Sequence, residues 1–174
     1  MIVDLREFER FPATTILEAS PNEIVPFGDE VVQVNWVQAK LSLQKTEFDI
    51  FCTGSARAEV VLFCARCARE FVTELEGDFD FIIRSDAVLP GEERVDADDE
   101  EYVYYHGNDL RVDVTDQVRQ ALVLAVGLKP LCQEDCRVLC PTGVTNWNEA
   151  SCTCTRDASD SRWDGLRNFL GNNN

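Results

Sequence analysis

The spacing of the cysteines constrains this chain more than any other feature. Eight are present, and seven fall in close groups: Cys64 and Cys67 as a CxxC knuckle, then Cys132, Cys136 and Cys140, then Cys152 and Cys154. A two-residue gap lets both sulfurs of one turn reach the same ion. Four thiolates around Zn2+ make a closed tetrahedral site, and soft sulfur favours zinc over magnesium or calcium. The grouping expected here is Cys64, Cys67, Cys132 and Cys136. It closes a long loop, at an entropic cost that rises only slowly with length. Cys140, Cys152 and Cys154 are left as a weak second site, with His106 the only histidine that could complete it. A competing grouping places Cys136, Cys140, Cys152 and Cys154 on one ion. It leaves Cys64 and Cys67 as a thiol pair, which would suit a thiol-disulfide oxidoreductase. Against that reading, the redox CxxC precedes a helix in a βαβ unit, whereas this knuckle follows a strand pattern.

The start, Met1-Ile2-Val3-Asp4-Leu5-Arg6-Glu7, lacks the basic segment and apolar run of a signal peptide, and no stretch approaches the length of a membrane span. The expected address is therefore the cytoplasm, with no membrane partner. Thiols stay reduced there, so paired cysteines read as metal ligands before they read as disulfides. The eighth, Cys52, alternates with Phe48 and Ile50 and reads as a buried apolar residue. Lys and Arg total 16 against 32 Asp and Glu, a formal net charge of -16. Such a surface repels polyanions broadly and favours a basic protein, although a local cluster of cations can act independently of distant acids. No phosphate-cradling GxxxxGK, GxGxxG or HExxH run occurs, so a non-enzymatic role is expected.

The chain reads as one α+β domain over residues 1–174: an antiparallel β-sheet or partial barrel, one covering helix, a Cys-rich zinc-binding C-terminal segment and a short terminal helix. Within it, residues 1–85 are β-rich, 86–101 form an acidic loop, 102–131 hold a strand and the helix, and 132–174 the Cys-rich tail. Two-residue alternation sets Val32, Val34 and Trp36 on one face, and Ala56, Ala58, Val60 and Leu62 on one face of a second strand. Runs at Glu47 to Cys52 and Phe71 to Ile83 share the β-branched and aromatic character of strands, with Thr53-Gly54-Ser55 expected as a turn. Behind Pro90-Gly91 the acidic stretch lacks the apolar residues to order itself. A short strand at Tyr102 to Tyr105 precedes a helix capped by Asp113 or Thr115. Its Val114, Val118, Ala121, Leu122 and Ala125 recur at helical spacing and should cover the sheet, and it stops at Gly127 and Pro130. Trp163, Leu166, Phe169 and Leu170 outline the terminal helix.

Taken together, Phe63-Cys64-Ala-Arg-Cys67-Ala-Arg-Glu-Phe71, Leu128-Lys-Pro-Leu-Cys132-Gln-Glu-Asp-Cys136-Arg-Val-Leu-Cys140-Pro141, Asn146-Trp-Asn148-Glu, Cys152-Thr-Cys154 and Asp160-Ser-Arg162-Trp163 resemble the YceD family of bacterial large-ribosomal-subunit RNA accumulation proteins. The resemblance implies a cytoplasmic, non-enzymatic factor that supports normal levels of large-subunit ribosomal RNA. Its partner would be ribosomal RNA or a basic large-subunit ribosomal protein, with Arg57, Arg66, Arg69, Lys129 and Arg137 as the expected cationic patch near the metal. A zinc-ribbon adaptor for transcription is a further alternative. One departure stands out. The family tail reads Cys-Pro-x-Cys-Gly, but Gly143-Val144 follow Cys140-Pro141-Thr142 here, so a second site would hold only three of its cysteines. Ser161 also replaces the family's proline.

Overall fold

The computed structural model describes residues 1–24, 31–85, 102–105, 109–140 and 145–152. The expected acidic loop at 86–101, His106, the 141–144 stretch, Cys154 and the terminal helix from Trp163 to Leu170 lie outside the described residues. The chain divides into two compact units, one of Met1–Ala65 with Arg69–Cys132 and one of Arg66–Ala68 with Gln133–Asn174.

In the first unit the strands are β1 (Ile2–Asp4), β2 (Ala13–Ala19), β3 (Val31–Lys45), β4 (Asp49–Phe63), β5 (Glu70–Ser85), β6 (Tyr102–Tyr105) and β7 (Arg111–Asp113). A short helix, α1 (Pro21–Ile24), follows β2, and α2 (Thr115–Ala125) follows β7. Five strands make one open sheet in the order β2-β3-β4-β5-β6, and β1 pairs with β7 separately. Every neighbouring pair is antiparallel except β5 with β6, which run parallel. The α+β architecture and the mostly antiparallel sheet agree with the sequence reading.

Along β4, Ile50, Cys52, Ala56, Ala58, Val60 and Leu62 are all buried, as two-residue alternation requires. On the same face β3 buries Val37, Ala39, Leu41 and Leu43, and β5 buries Leu75, Phe81 and Ile83. Burying one such aliphatic side chain is worth about 1.5–3 kcal/mol. Helix α2 lays Val118, Ala121 and Leu122 into this face and contacts β4 and β5. Its close approach depends on Gly77, where a Cβ would lie 2.5 Å from the carbonyl oxygen of Ala121.

Four local expectations are corrected. Thr53-Gly54-Ser55 is no turn but the middle of the continuous strand β4. A Cβ at Gly54 would stand 2.6 Å from both the Lys40 carbonyl oxygen and the Phe79 ring, so the glycine marks close packing across the sheet. In β3 the expected Val32-Val34-Trp36 stripe is broken: Val34 is buried while Val32 and Trp36 are exposed. Register shifts between Val31/Gln33 and Val34/Trp36 insert residues without partners and swap the faces of the strand. The N-cap position of α2 is Val114, which has no side-chain cap and is fully buried in the core. Asp113 instead accepts a hydrogen bond from Thr115 N at 3.0 Å, satisfying one of the helix's unpaired first-turn donors. Phe48 also departs from the strand pattern, because it lies in the β3–β4 connection and is exposed, unlike Ile50 and Cys52.

Candidate metal centre

The inward row Ala56, Ala58, Val60 and Leu62 continues by one more step to Cys64, which is buried just past the end of β4. A turn follows, with Ala68 in the left-handed region at φ 56°. Cys64 N then donates to Arg69 O at 2.9 Å, and β5 begins at Glu70. Downstream, α2 ends and Gly127 adopts φ 71°, the left-handed conformation that lets a chain leave a helix sharply. The departing segment comes back to the knuckle: Ala65 N donates to Pro130 O at 2.9 Å, and Cys132 N points at Cys64 Sγ at 3.5 Å.

In the second unit Cys67 and Cys136 are both buried. Cys136 closes a turn by donating from its N–H to Gln133 O at 3.1 Å. Arg66 donates to Cys136 O at 3.0 Å and reaches Glu134 O at 3.4 Å. Asn148 holds the segment from the other direction. Its Nδ2 donates to Arg137 O at 2.8 Å and approaches Cys136 Sγ at 3.5 Å, while its Oδ1 accepts from Arg137 N at 2.7 Å. Arg66, expected in a cationic patch, instead serves backbone carbonyls here, and Asn148, quoted only within the family motif, takes a positioning role that no spacing signal reveals.

The ligand atoms of Cys64, Cys67, Cys132 and Cys136 all lie within 4.8 Å of one another. A zinc ion with sulfurs at about 2.3 Å in a tetrahedron separates them by about 3.8 Å, so the group has the size a four-thiolate site needs. The donors are all sulfur, with no carboxylate among them, which suits a soft metal. The cluster can hold a metal ion.

The remaining expected ligands behave differently. Cys140 is buried and accepts from Thr145 N at 3.3 Å, and Cys152 accepts from Trp147 Nε1 at 3.1 Å. Among the described residues no second group of three or more metal-ligating side chains forms. Cys52 is a core residue whose thiol burial pushes up to about 12, so it stays protonated and unreactive. Arg57 does not lie near the knuckle as expected. It precedes Cys64 by seven strand positions, about 23 Å at 3.3 Å per residue, and points to the opposite face. There it pairs with Glu76 at 2.8 Å.

A family model for the large ribosomal RNA subunit accumulation protein YceD matches residues 52–170, from near the start of β4 through every clustered cysteine. The chain belongs to the YceD family. YceD membership points to a role in the accumulation of large-subunit ribosomal RNA. Comparisons with curated proteins and with solved structures found no match. Among the described residues of this YceD-family chain, no helix is long and apolar enough to cross a membrane.

Proposed function

We propose that this chain is a non-enzymatic assembly factor of the large ribosomal subunit, acting in the cytoplasm, and that Cys64, Cys67, Cys132 and Cys136 hold one structural zinc ion. The observation that carries the metal assignment is the gathering of four sulfurs within 4.8 Å. With all four positions filled by protein, such a site leaves none open for water or substrate, which is the signature of structure and not of catalysis. Metal binding of this kind is folding free energy, worth on the order of 10 kcal/mol in small zinc modules. Cys140, Cys152 and Cys154 are read as a remnant that stays empty. The partner is ribosomal RNA or a basic large-subunit ribosomal protein.

Metal analysis of reduced native protein should return one zinc per chain, with the four thiols unreactive until a chelator is added. Two freely reactive thiols at Cys64 and Cys67 in metal-loaded protein would instead make this a redox protein. In cells lacking the gene, large-subunit particles should fall in a sucrose gradient and be restored by the wild-type chain but not by the Cys64→Ser/Cys67→Ser variant. A normal gradient without the gene rejects the assembly role. Migration with RNA polymerase would favour the transcription adaptor.

A further inference from the structure

The face of the five-stranded sheet turned away from α2 combines two features that a free-standing sheet ordinarily avoids. The first is charge. Outward positions of β5 run Glu70, Val72, Glu74, Glu76, Asp78, Asp80, five carboxylates and one valine at two-residue intervals. The register sets Glu74 directly opposite Glu59 of β4. Like charges in that position destabilise a sheet. The cations at outward positions of β3 and β4 are few: Lys40, which lies opposite Ser55, and Arg57, which is already paired with Glu76 at 2.8 Å. Glu59 accepts from a neutral donor, Asn35 Nδ2 at 2.8 Å, which brings no positive charge to it.

The second feature is apolar. Trp36 lies opposite Glu59, Val61 opposite Val72 one step along from the like-charge pair, and Phe63 opposite Glu70 a step further. Trp36 is 37%, Phe63 45% and Val72 59% exposed. Exposed aromatic groups beside a polar rim are the composition of a protein interface.

We propose that this face docks an extended, lysine- and arginine-rich protein segment. Alternate side chains of an extended segment repeat at about 6.8 Å, the same interval as the carboxylates along β5. Its cations would neutralise Glu59 and Glu74 while an apolar residue covers Val61 and Val72. A nucleic acid fits poorly, because its phosphates would meet the carboxylate row. A lone metal cation would leave Trp36 and Phe63 unused. The surface itself is independent of the zinc assignment; taking the partner from the large subunit rests on the function proposed above.

The test places a photo-crosslinking amino acid at position 72 of the full, metal-loaded chain. The probes are the RNA-free protein mixture extracted from purified large subunits and, separately, large-subunit ribosomal RNA. The expected result is a cross-link to a basic segment of one protein, reduced at least ~10-fold by Glu59→Lys/Glu74→Lys with zinc content unchanged. Glu59→Gln/Glu74→Gln should also weaken the cross-link while raising the thermal midpoint by about 2 °C, since it removes the repulsion. A stronger cross-link to RNA, or a protein cross-link indifferent to both variants, overturns the proposal. A deletion strain with normal ribosomes would reject the assembly role and leave the cross-linking result standing, whereas a defective strain without a cross-link rejects only the surface.

Discussion

The two units of this chain are held together by different chemistry. In the first, the buried residues are mainly aliphatic and aromatic: Val37, Leu41, Leu43, Val60, Leu62, Phe81, Ile83 and Leu122 among them. In the second, every buried residue among those described is a cysteine, namely Cys67, Cys136 and Cys140. A sheet with a continuous apolar face can offset its conformational entropy by burying area. The described part of the second unit has no aliphatic interior to do so, and the proposed metal ligation would supply stability in its place.

The largest effect that would test this contrast is metal removal. Chelation of the proposed zinc is expected to abolish amide protection across 133–140 and 145–152 while β3, β4 and β5 keep theirs, as read by hydrogen exchange. Equal loss in both units would erase the distinction. The mirror experiment is Phe81→Ala, which removes a ring that is 2% exposed. It should cost about 3–5 kcal/mol in urea unfolding, with zinc stoichiometry in the native state unchanged.

A smaller effect sharpens the account of the sheet unit. Gly77→Ala forces a Cβ to 2.5 Å from the Ala121 carbonyl oxygen, so α2 must move, at about 1–3 kcal/mol in the same assay. The smallest concerns Asp49 and Arg84, joined by two hydrogen bonds of 2.6 and 2.8 Å on half-buried side chains. The hydrogen bonds from Arg84 hold the Asp49 carboxyl below its ordinary value. A depressed carboxylate contributes its stability above the unfolded value and loses it as pH falls through the folded one. The wild type should therefore lose roughly 1 kcal/mol through this pair as pH falls through the ordinary carboxylate value and then the lowered one. Asp49→Asn should remove that part of the acid sensitivity, and an unchanged pH profile would show the pair to be without consequence.

Much of this was legible beforehand. Two-residue alternation from Ala56 to Leu62 identified the inner face of β4, and one more step along the same period leads to Cys64. Helical spacing from Val114 to Ala125 marked α2 and its buried side. Cysteine spacing marked a metal-binding pattern but left two groupings open, and the structure gathers the sulfurs of Cys64, Cys67, Cys132 and Cys136 within 4.8 Å. The two N-terminal strands were missed. Ala13–Ala19 alternates, but its apolar residues are few, and β1 owes its pairing to Val112 and its neighbours more than a hundred residues away.

From sequence alone follow the periods of the long strands and of the main helix, the close spacing of the cysteines and the acidic balance, because each is a property of residue type and local spacing. The tertiary structure decided what depends on a neighbour brought from afar. It decided that Gly54 and Gly77 are points of close approach, that a bulge exposes Trp36, and that Glu59 faces Glu74. It also decided that Asn148 serves Cys136. Those are consequences of register and packing, in which a displacement of one residue reverses the face a side chain occupies.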